Sequence, residues 1–245
     1  TEPAYESNVI VGTILRRNIV AANLPVLKDT DYYGLFIKHL ESKGYKEGED
    51  LITFPYDWRL DNKRHFDELD RKVNELRMET GRRKIALVAH SMGGLIASAY
   101  VRSKPERAKK IDYIVTLGTP FWGSPKVYYG LIAGYCFGNS SIRQPMSKIL
   151  FQDFPACYQL LPRVPFVIDM GDNKFISADR TFRDVRYKFC NSVHWLPLPL
   201  PDLYLEPKEN VWKMNTGLLD LADEYYEPLG SKMEPEPMPE GVELY

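Results

Sequence analysis

The stretch that decides the fold is KIALVAHSMGGLIASAY, residues 84–100. Its unbroken apolar run at residues 85–88 predicts a short strand that is covered on both faces. Leu95 and the small apolar residues after it recur at helical spacing, which predicts a helix packed close against a sheet. Between the two stands AHSMG, residues 89–93, which is the nucleophile-elbow pattern with alanine in place of its first glycine.

The elbow pattern predicts a serine whose hydroxyl stands clear of the sheet. Ser91 needs a strained backbone for this, and the residues two before and two after it approach closely, which Ala89 and Gly93 allow. Because the helix starts directly after the serine, its free N–H groups face the place where negative charge develops. We therefore predict Ser91 as the catalytic nucleophile and the backbone N–H of Met92 as an oxyanion donor. The alternative is a turn of similar shape in another kind of α/β protein.

The segments around the elbow predict alternating helices and strands. A helix capped within residues 29–31 precedes a short strand at residues 51–54. A long amphipathic helix starts at Asp61 or Asn62, and residues 111–117, IDYIVTL, form another buried strand. This order is typical of a parallel sheet flanked by helices, in which ligands bind beyond the carboxyl ends of the strands.

Three loops are expected to meet at that edge of the sheet. They are residues 55–59, PYDWR, the elbow itself, and residues 118–123, GTPFWG. The preferred interpretation of Asp57 and Arg59 is that they form an ion pair, which fixes the conformation of the 55–59 loop. Aromatic side chains of these loops are the candidate substrate contacts: Trp58, Phe121 and Trp122.

Composition and charge narrow the class of protein. The chain has 245 residues, 44% hydrophobic and 27% charged, which is typical of a globular α/β domain with an insertion. The net charge of −1 provides no basic field, so no nucleic-acid partner is expected. No apolar run approaches the length of a membrane span. The three cysteines have no metal-ligand spacing, so neither a metal nor another cofactor is expected, and their pairing stays open.

The loop motifs resemble those of a known family. PYDWR at 55–59, AHSMGG at 89–94, GTPFWG at 118–123 and YQLLP at 158–162 resemble the lecithin–cholesterol acyltransferase family of α/β-hydrolases, and YDWR is the most specific of them. The resemblance implies an α/β-hydrolase fold: a parallel sheet flanked by helices, with an inserted cap. It also implies acyl transfer by Ser91 from a lipid or other ester to water or an alcohol. The implied partners are a lipid or acyl-ester substrate and, transiently, a membrane or lipid surface.

The resemblance divides the chain into three parts. Residues 1–123 are expected to form part of the α/β-hydrolase core, and residues 241–245 the start of the next core strand. Residues 124–240 are too long for a loop between strands and are expected to form an inserted, mainly helical cap. The aromatic residues of the cap would form either an apolar lid over the serine or simply the small core of the cap itself.

The catalytic triad is where the chain departs from the family pattern. In α/β-hydrolases an acid and then a histidine follow the serine, on loops after two further strands. Both are expected beyond Tyr245, so the chain is expected to be part of a longer enzyme, truncated at both ends and with negligible esterase activity by itself. The alternative function is a non-catalytic binding protein that retains the hydrolase scaffold.

Other residues of the chain are weaker candidates for the triad. His39 and His65 are expected to be ordinary surface histidines on helices. His90 is expected to point away from the serine hydroxyl. The remaining candidates are expected to lie within the cap, away from the triad: His194, Asp169 and Asp172.

Overall fold

The computed structural model describes only part of the chain. The described residues are 19–21, 24–27, 31–124, 127, 131, 151–162, 166–169, 175–178, 216–229 and 236–245. They begin with two short antiparallel strands, β1 (Ile19–Ala21) and β2 (Leu24–Leu27).

The first described helix is α1 (Gly34–Ser42). The carboxylate of Asp31 accepts the backbone N–H of Gly34 at 2.6 Å, so the predicted cap is present at the start of this helix. Gly44, with φ of 101°, follows its last turn.

The strand predicted at residues 51–54 is absent, so that prediction was wrong. Leu51 forms a single isolated bridge with Glu47, and residues 52–54 pair with no strand in the described part of the chain. A strand requires a neighbour that satisfies its backbone hydrogen bonds, and an apolar run alone does not show whether that neighbour exists.

The predicted amphipathic helix is present as α2 (Phe66–Thr80), preceded by a 3-10 helix (Asn62–His65). The side chain of Asp61 caps the 3-10 helix by accepting the N–H of Lys63 at 3.0 Å. Gly81, with φ of 66°, ends α2. The buried residues of α2 recur at helical spacing, as predicted: Phe66, Leu69 and Val73.

The strand, turn and helix predicted at the elbow are all present. β3 (Ile85–His90) leads through Ser91 into α3 (Met92–Ser103). Proline follows one residue after α3 and opens the short helix α4 (Pro105–Ala108). β4 (Ile111–Leu117) has the bounds that the sequence predicts.

The described residues beyond 150 include two α-helices, a 3-10 helix (Glu227–Leu229) and three strands. In chain order the α-helices and strands are α5 (Pro155–Gln159), β5 (Phe166–Asp169), β6 (Phe175–Ala178), α6 (Thr216–Tyr226) and β7 (Glu243–Leu244). α5 packs against α6, and β5 pairs with β6 in an antiparallel hairpin separate from the parallel sheet. Asp169 therefore does not end a strand of the parallel sheet, whereas Asp172 and His194 lie outside the described residues. Within the described parts, no helix combines the length and apolarity needed to cross a bilayer.

β3, β4 and β7 form a parallel sheet in that order. α2 and α3 pack on one face of it, and the main hydrophobic core lies between these helices and the strands. Its most deeply buried side chains include Leu95, Tyr100, Ile111 and Ile114.

In the described part of the chain, the opposite face of β3 is largely open. Ala86, Val88 and His90 of β3 point outward, and Val88 is 49% exposed. The prediction that β3 is covered on both faces is therefore wrong, although the strand itself is present. An unbroken apolar run does not show whether helices cover both faces of the strand or only one.

The first turn of α3 lies close to the loop after β4. A Cβ atom added to Gly94 would lie 1.9 Å from Thr119 Oγ1, which no real side chain tolerates. A Cβ atom on Gly93 would meet only Ala89 Cβ and Tyr56 Oη, each at 3.8 Å, an ordinary contact. The strict requirement for glycine therefore falls on Gly94, whereas at Gly93, which approaches Ala89 as predicted, a small residue is sufficient.

We expect Gly94→Ala to lower the free energy of unfolding by about 1–3 kcal/mol, because the added methyl group forces α3 away from Thr119. The matched variant Gly93→Ala should stay within about 1 kcal/mol of the wild type, because its methyl group fits and alanine favours a helix. Urea unfolding followed by circular dichroism measures both. Equal losses in the two variants would contradict this difference.

Candidate active site

Ser91 holds the strained conformation that the elbow pattern predicts. Its φ is 52° and its ψ is −125°, and it is the one non-glycine residue with positive φ in the described part of the chain. Its N–H donates to the carbonyl of Leu117 at 2.9 Å, and its own carbonyl accepts the N–H of Gly94 at 3.0 Å. One hydrogen bond to β4 and one from α3 therefore hold Ser91 in its strained backbone conformation.

Met92 is the first residue of α3. The N–H groups in the first turn of a helix have no acceptor within the helix, and the dipole adds positive potential at this end. The backbone N–H of Met92 is thus directly beside Ser91 and chemically suited to stabilise an oxyanion. Its role as an oxyanion donor stays a prediction.

The two other predicted loops both reach the first turn of α3. Tyr56, from the 55–59 loop, places its hydroxyl 3.8 Å from the position of a Cβ atom on Gly93. Thr119, from the 118–123 loop, packs directly against Gly94. The elbow and these two loops therefore converge, as predicted, but the contacts run through Tyr56 and Thr119, which sequence reasoning did not single out. Tyr56 lies within the motif PYDWR, and Thr119 lies within GTPFWG.

The predicted aromatic contacts have different environments. Trp58 is 46% exposed and packs edge-to-face against Phe154, with ring centroids 5.5 Å apart. Phe121 is partly buried against the hydrophobic core, whereas Trp122 is 53% exposed. Trp58 and Trp122 thus retain surface for an apolar ligand, and the ring of Phe121 is largely committed to packing.

Asp57 and Arg59 form the predicted ion pair. The guanidinium of Arg59 donates through Nε to Asp57 Oδ1 at 2.8 Å and through Nη2 to Oδ2 at 2.6 Å. The backbone N–H of Arg59 also reaches Oδ1 at 3.2 Å. A bidentate pair of this kind, with the carboxylate buried, fixes the backbone on both sides of Trp58.

His90 and His39 lie where the sequence predicts. The hydroxyl of Tyr33 is 2.8 Å from His90 Nδ1, so the imidazole is engaged by the residue before α1. His39 is exposed on α1. The Ser91 hydroxyl makes no hydrogen bond to any residue of the described ranges, and these histidines provide no base for it.

His65 is not a surface histidine, and that prediction was wrong. It is 7% exposed, and its ring lies 5.0 Å from that of Tyr56. Burial lowers the pKa of its imidazole, although a hydrogen bond to the backbone of Asp57 and the carboxylates of Asp57 and Asp61 oppose this. Its Nε2 atom is buried without a partner among the described residues. His65 belongs to the 3-10 helix that precedes α2 and is one of its buried residues.

Cysteine chemistry contributes little to this site. Cys157 of α5 is a free, buried thiol, and burial raises its pKa to about 12, so it is not a nucleophile near neutral pH. Across the described ranges, no three His, Cys, Asp or Glu side chains are grouped to hold a metal ion.

Sequence comparison assigns the family. The profile of the family described as lecithin:cholesterol acyltransferase matches residues 24–194, which is more than half of the chain. The chain belongs to the lecithin:cholesterol acyltransferase family. Together with the parallel sheet, the strained elbow serine and the flanking helices, membership in this family gives the α/β-hydrolase fold that the sequence predicts.

Curated relatives of this lecithin:cholesterol acyltransferase family member include plant and mammalian proteins. Phospholipase A(1) LCAT3 of Arabidopsis thaliana is 28% identical over 150 residues, which are 60% of this chain and 33% of that protein. The lysosomal phospholipase A and acyltransferase of Bos taurus is 33% identical over 108 residues, 42% of this chain and 26% of that protein. The phosphatidylcholine-sterol acyltransferase of Oryctolagus cuniculus is 30% identical over 108 residues, 42% of this chain and 24% of that protein. The matches thus span a third or less of each relative.

Among solved structures, the Tle4-Tli4 complex contains a similar chain. The similarity covers 70% of this family member and 41% of that chain, with a TM-score of 0.41 and 17% sequence identity.

We expect His65 to make stability depend on pH. Because its pKa is lower in the folded protein, its contribution is complete above the unfolded value, about 6.5, and is lost as the pH falls through the folded value. His65→Gln should therefore reduce the loss of unfolding free energy between about pH 7.5 and about pH 5. Urea titrations at both pH values measure this. His39→Gln, on the exposed face of α1, is the control, and an equal effect of both variants would refute the prediction.

Proposed function

We propose that this chain carries the nucleophile for acyl transfer or hydrolysis of a lipid-like ester, through an acyl-enzyme on Ser91. The strained Ser91 backbone between β3 and α3 is the observation that carries this proposal, because a nucleophile elbow uses such a backbone to expose its serine hydroxyl beside the start of a helix. The names of the relatives, which are phospholipases and acyltransferases, support a lipid ester as the substrate class.

The proposed reaction proceeds in two steps. Ser91 Oγ attacks the ester carbonyl carbon as a histidine outside the described residues accepts its proton, and the backbone N–H of Met92 stabilises the oxyanion. Collapse expels the alcohol part of the substrate, which takes up that proton, and leaves the acyl group on Ser91. Water or an acceptor alcohol then attacks the acyl-enzyme and gives up a proton to the same histidine, which returns it to the departing Ser91 Oγ, so that Ser91 is freed and a fatty acid or a new ester is formed.

The proposed substrate site lies between the core and the cap. Residues 1–123 would supply the nucleophile, residues 241–245 the next core strand, and residues 124–240 a cap over the serine. Trp58 and Trp122 would line the acyl pocket with Phe121 behind them. Because the proposed substrate is a lipid, we also propose that the exposed aromatic side chains bring the site into transient contact with a lipid surface.

We expect a fluorophosphonate reagent to label Ser91 in the protein at its full natural length, because the reagent reacts with a serine that a base has activated. Mass spectrometry of the labelled peptide identifies the site. Ser91→Ala should abolish labelling, whereas Ser42→Ala, on the exposed end of α1, should leave it unchanged.

The same experiment separates the enzyme from a binding scaffold. A binding protein leaves the elbow serine unactivated and therefore unlabelled. Absence of label in the correctly folded full-length protein would exclude the acyl-enzyme and favour the binding function.

We expect Trp58→Ala to change the preferred acyl chain length in the full-length protein, because the indole surface left open beside Phe154 would contact the acyl chain. Hydrolysis rates across a series of p-nitrophenyl esters measure the preference. The pocket role of Trp58 is wrong if the variant loses stability but keeps the wild-type preference.

A further inference from the structure

Residues 151–162, here called the bridging segment, connect the two loops beside the elbow. On one side, the segment lies against the loop after β4. The N–H of Ser124 donates to the carbonyl of Leu160 at 2.7 Å. A Cβ atom on Gly123 would lie 2.4 Å from the carbonyl oxygen of Leu161, so the two backbones are in direct contact.

On its other side, the bridging segment is joined through Gln159 to residues 55–62, here called the Trp58 loop. This side chain is completely buried. Its Oε1 accepts the backbone N–H of Asn62 at 3.0 Å, and its Nε2 donates to Asp61 Oδ1 at 2.7 Å. Asp61 in turn caps the 3-10 helix that begins at the end of the Trp58 loop.

The bridging segment also supports Trp58 directly. Phe154 lies edge-to-face against the indole at 5.5 Å, and Phe151 lies at 6.3 Å. The guanidinium of Arg59 lies 5.9 Å from the centre of the Phe154 ring. The position of Trp58 therefore depends on where the bridging segment sits.

Gln159 is held by two independent sets of bonds. Its backbone carbonyl accepts the hydroxyl of Tyr226 from α6, whereas its side-chain amide bonds, within the described residues, to the Trp58 loop. Removal of the amide would leave the Asn62 N–H and one hydrogen-bond site of the Asp61 carboxylate unsatisfied in a buried position. The side chain and the backbone of Gln159 can therefore be tested separately.

We propose that Gln159 is a specificity-determining positioning residue, which holds the Trp58 loop and the 118–124 loop at a fixed separation and so sets the acyl chain length that the site accepts. This inference rests on the proposed function, because it concerns the pocket for the acyl group of the Ser91 intermediate. Gln159 itself acts through the two loops and not by contact with the reacting atoms.

The test compares Gln159→Met with the wild type in the full-length protein. Methionine keeps the length of the side chain and removes both hydrogen bonds. The measured quantity is the ratio of kcat/KM for p-nitrophenyl palmitate to that for p-nitrophenyl butyrate in detergent micelles. A long chain contacts the pocket walls along its length and a short chain does not, so we expect the ratio to change by about tenfold.

Two further variants control the test. Tyr226→Phe removes the bond to the Gln159 carbonyl and leaves the amide in place, so it should lower stability without changing the ratio. Gln159→Glu keeps the shape of the side chain but puts a second carboxylate beside Asp61, so it should change the ratio as Gln159→Met does. Thermal unfolding verifies the fold of each variant, and the second substitution serves if the first does not fold.

The outcomes distinguish this inference from the proposed function. If fluorophosphonate labels Ser91 in the wild type and in the folded Gln159 variants alike, while the ratio changes in each folded Gln159 variant and not in Tyr226→Phe, the inference holds. An unchanged ratio in a folded Gln159 variant, or an equal change in Tyr226→Phe, overturns it and leaves the proposed function intact. A wild type that is neither labelled nor active overturns the proposed function, and the inference with it.

Discussion

The structure depends on the strained backbone of Ser91. A positive φ in a residue with a Cβ atom costs free energy, and it persists only where the surroundings over-determine it. Here a hydrogen bond from β4 holds the serine N–H, and the first turn of α3 holds its carbonyl. The position of the parallel strands, the start of α3 and the backbone conformation of Ser91 are therefore one linked constraint.

The close approach of Gly94 and Thr119 extends this constraint to the neighbouring loop. Without a side chain at Gly94, α3 can begin directly against the residues that follow β4. That loop in turn contacts the bridging segment through Gly123 and Ser124. A chain of close contacts thus runs from the nucleophile to the part of the molecule proposed to cover it, and the glycines at positions 94 and 123 are what allow it.

On the other side of the elbow, buried polar groups replace close backbone packing. Gln159 and Asp61 bond to each other, whereas the His65 Nε2 atom and the side-chain amide of Asn62 have no partner of suitable geometry among the described residues. A buried polar group without a hydrogen bond costs stability. A buried polar group that makes its hydrogen bonds fixes a single arrangement of the residues it joins. The Trp58 loop is thus specified by direction-dependent bonds and not by burial alone.

The sequence by itself determined β3, the elbow, α2, α3 and β4, because these elements depend on neighbours in the chain: an apolar run, a proline, a glycine at a helix end. The family motifs likewise identified Ser91 and the two loops beside it. Only the tertiary structure decided that β3 is open on one face, that residues 51–54 do not pair, that His65 is buried and that Gly94 is the glycine under steric demand. Each of these features depends on contacts between segments far apart in the chain. A local pattern of residues does not specify which distant segment packs against it.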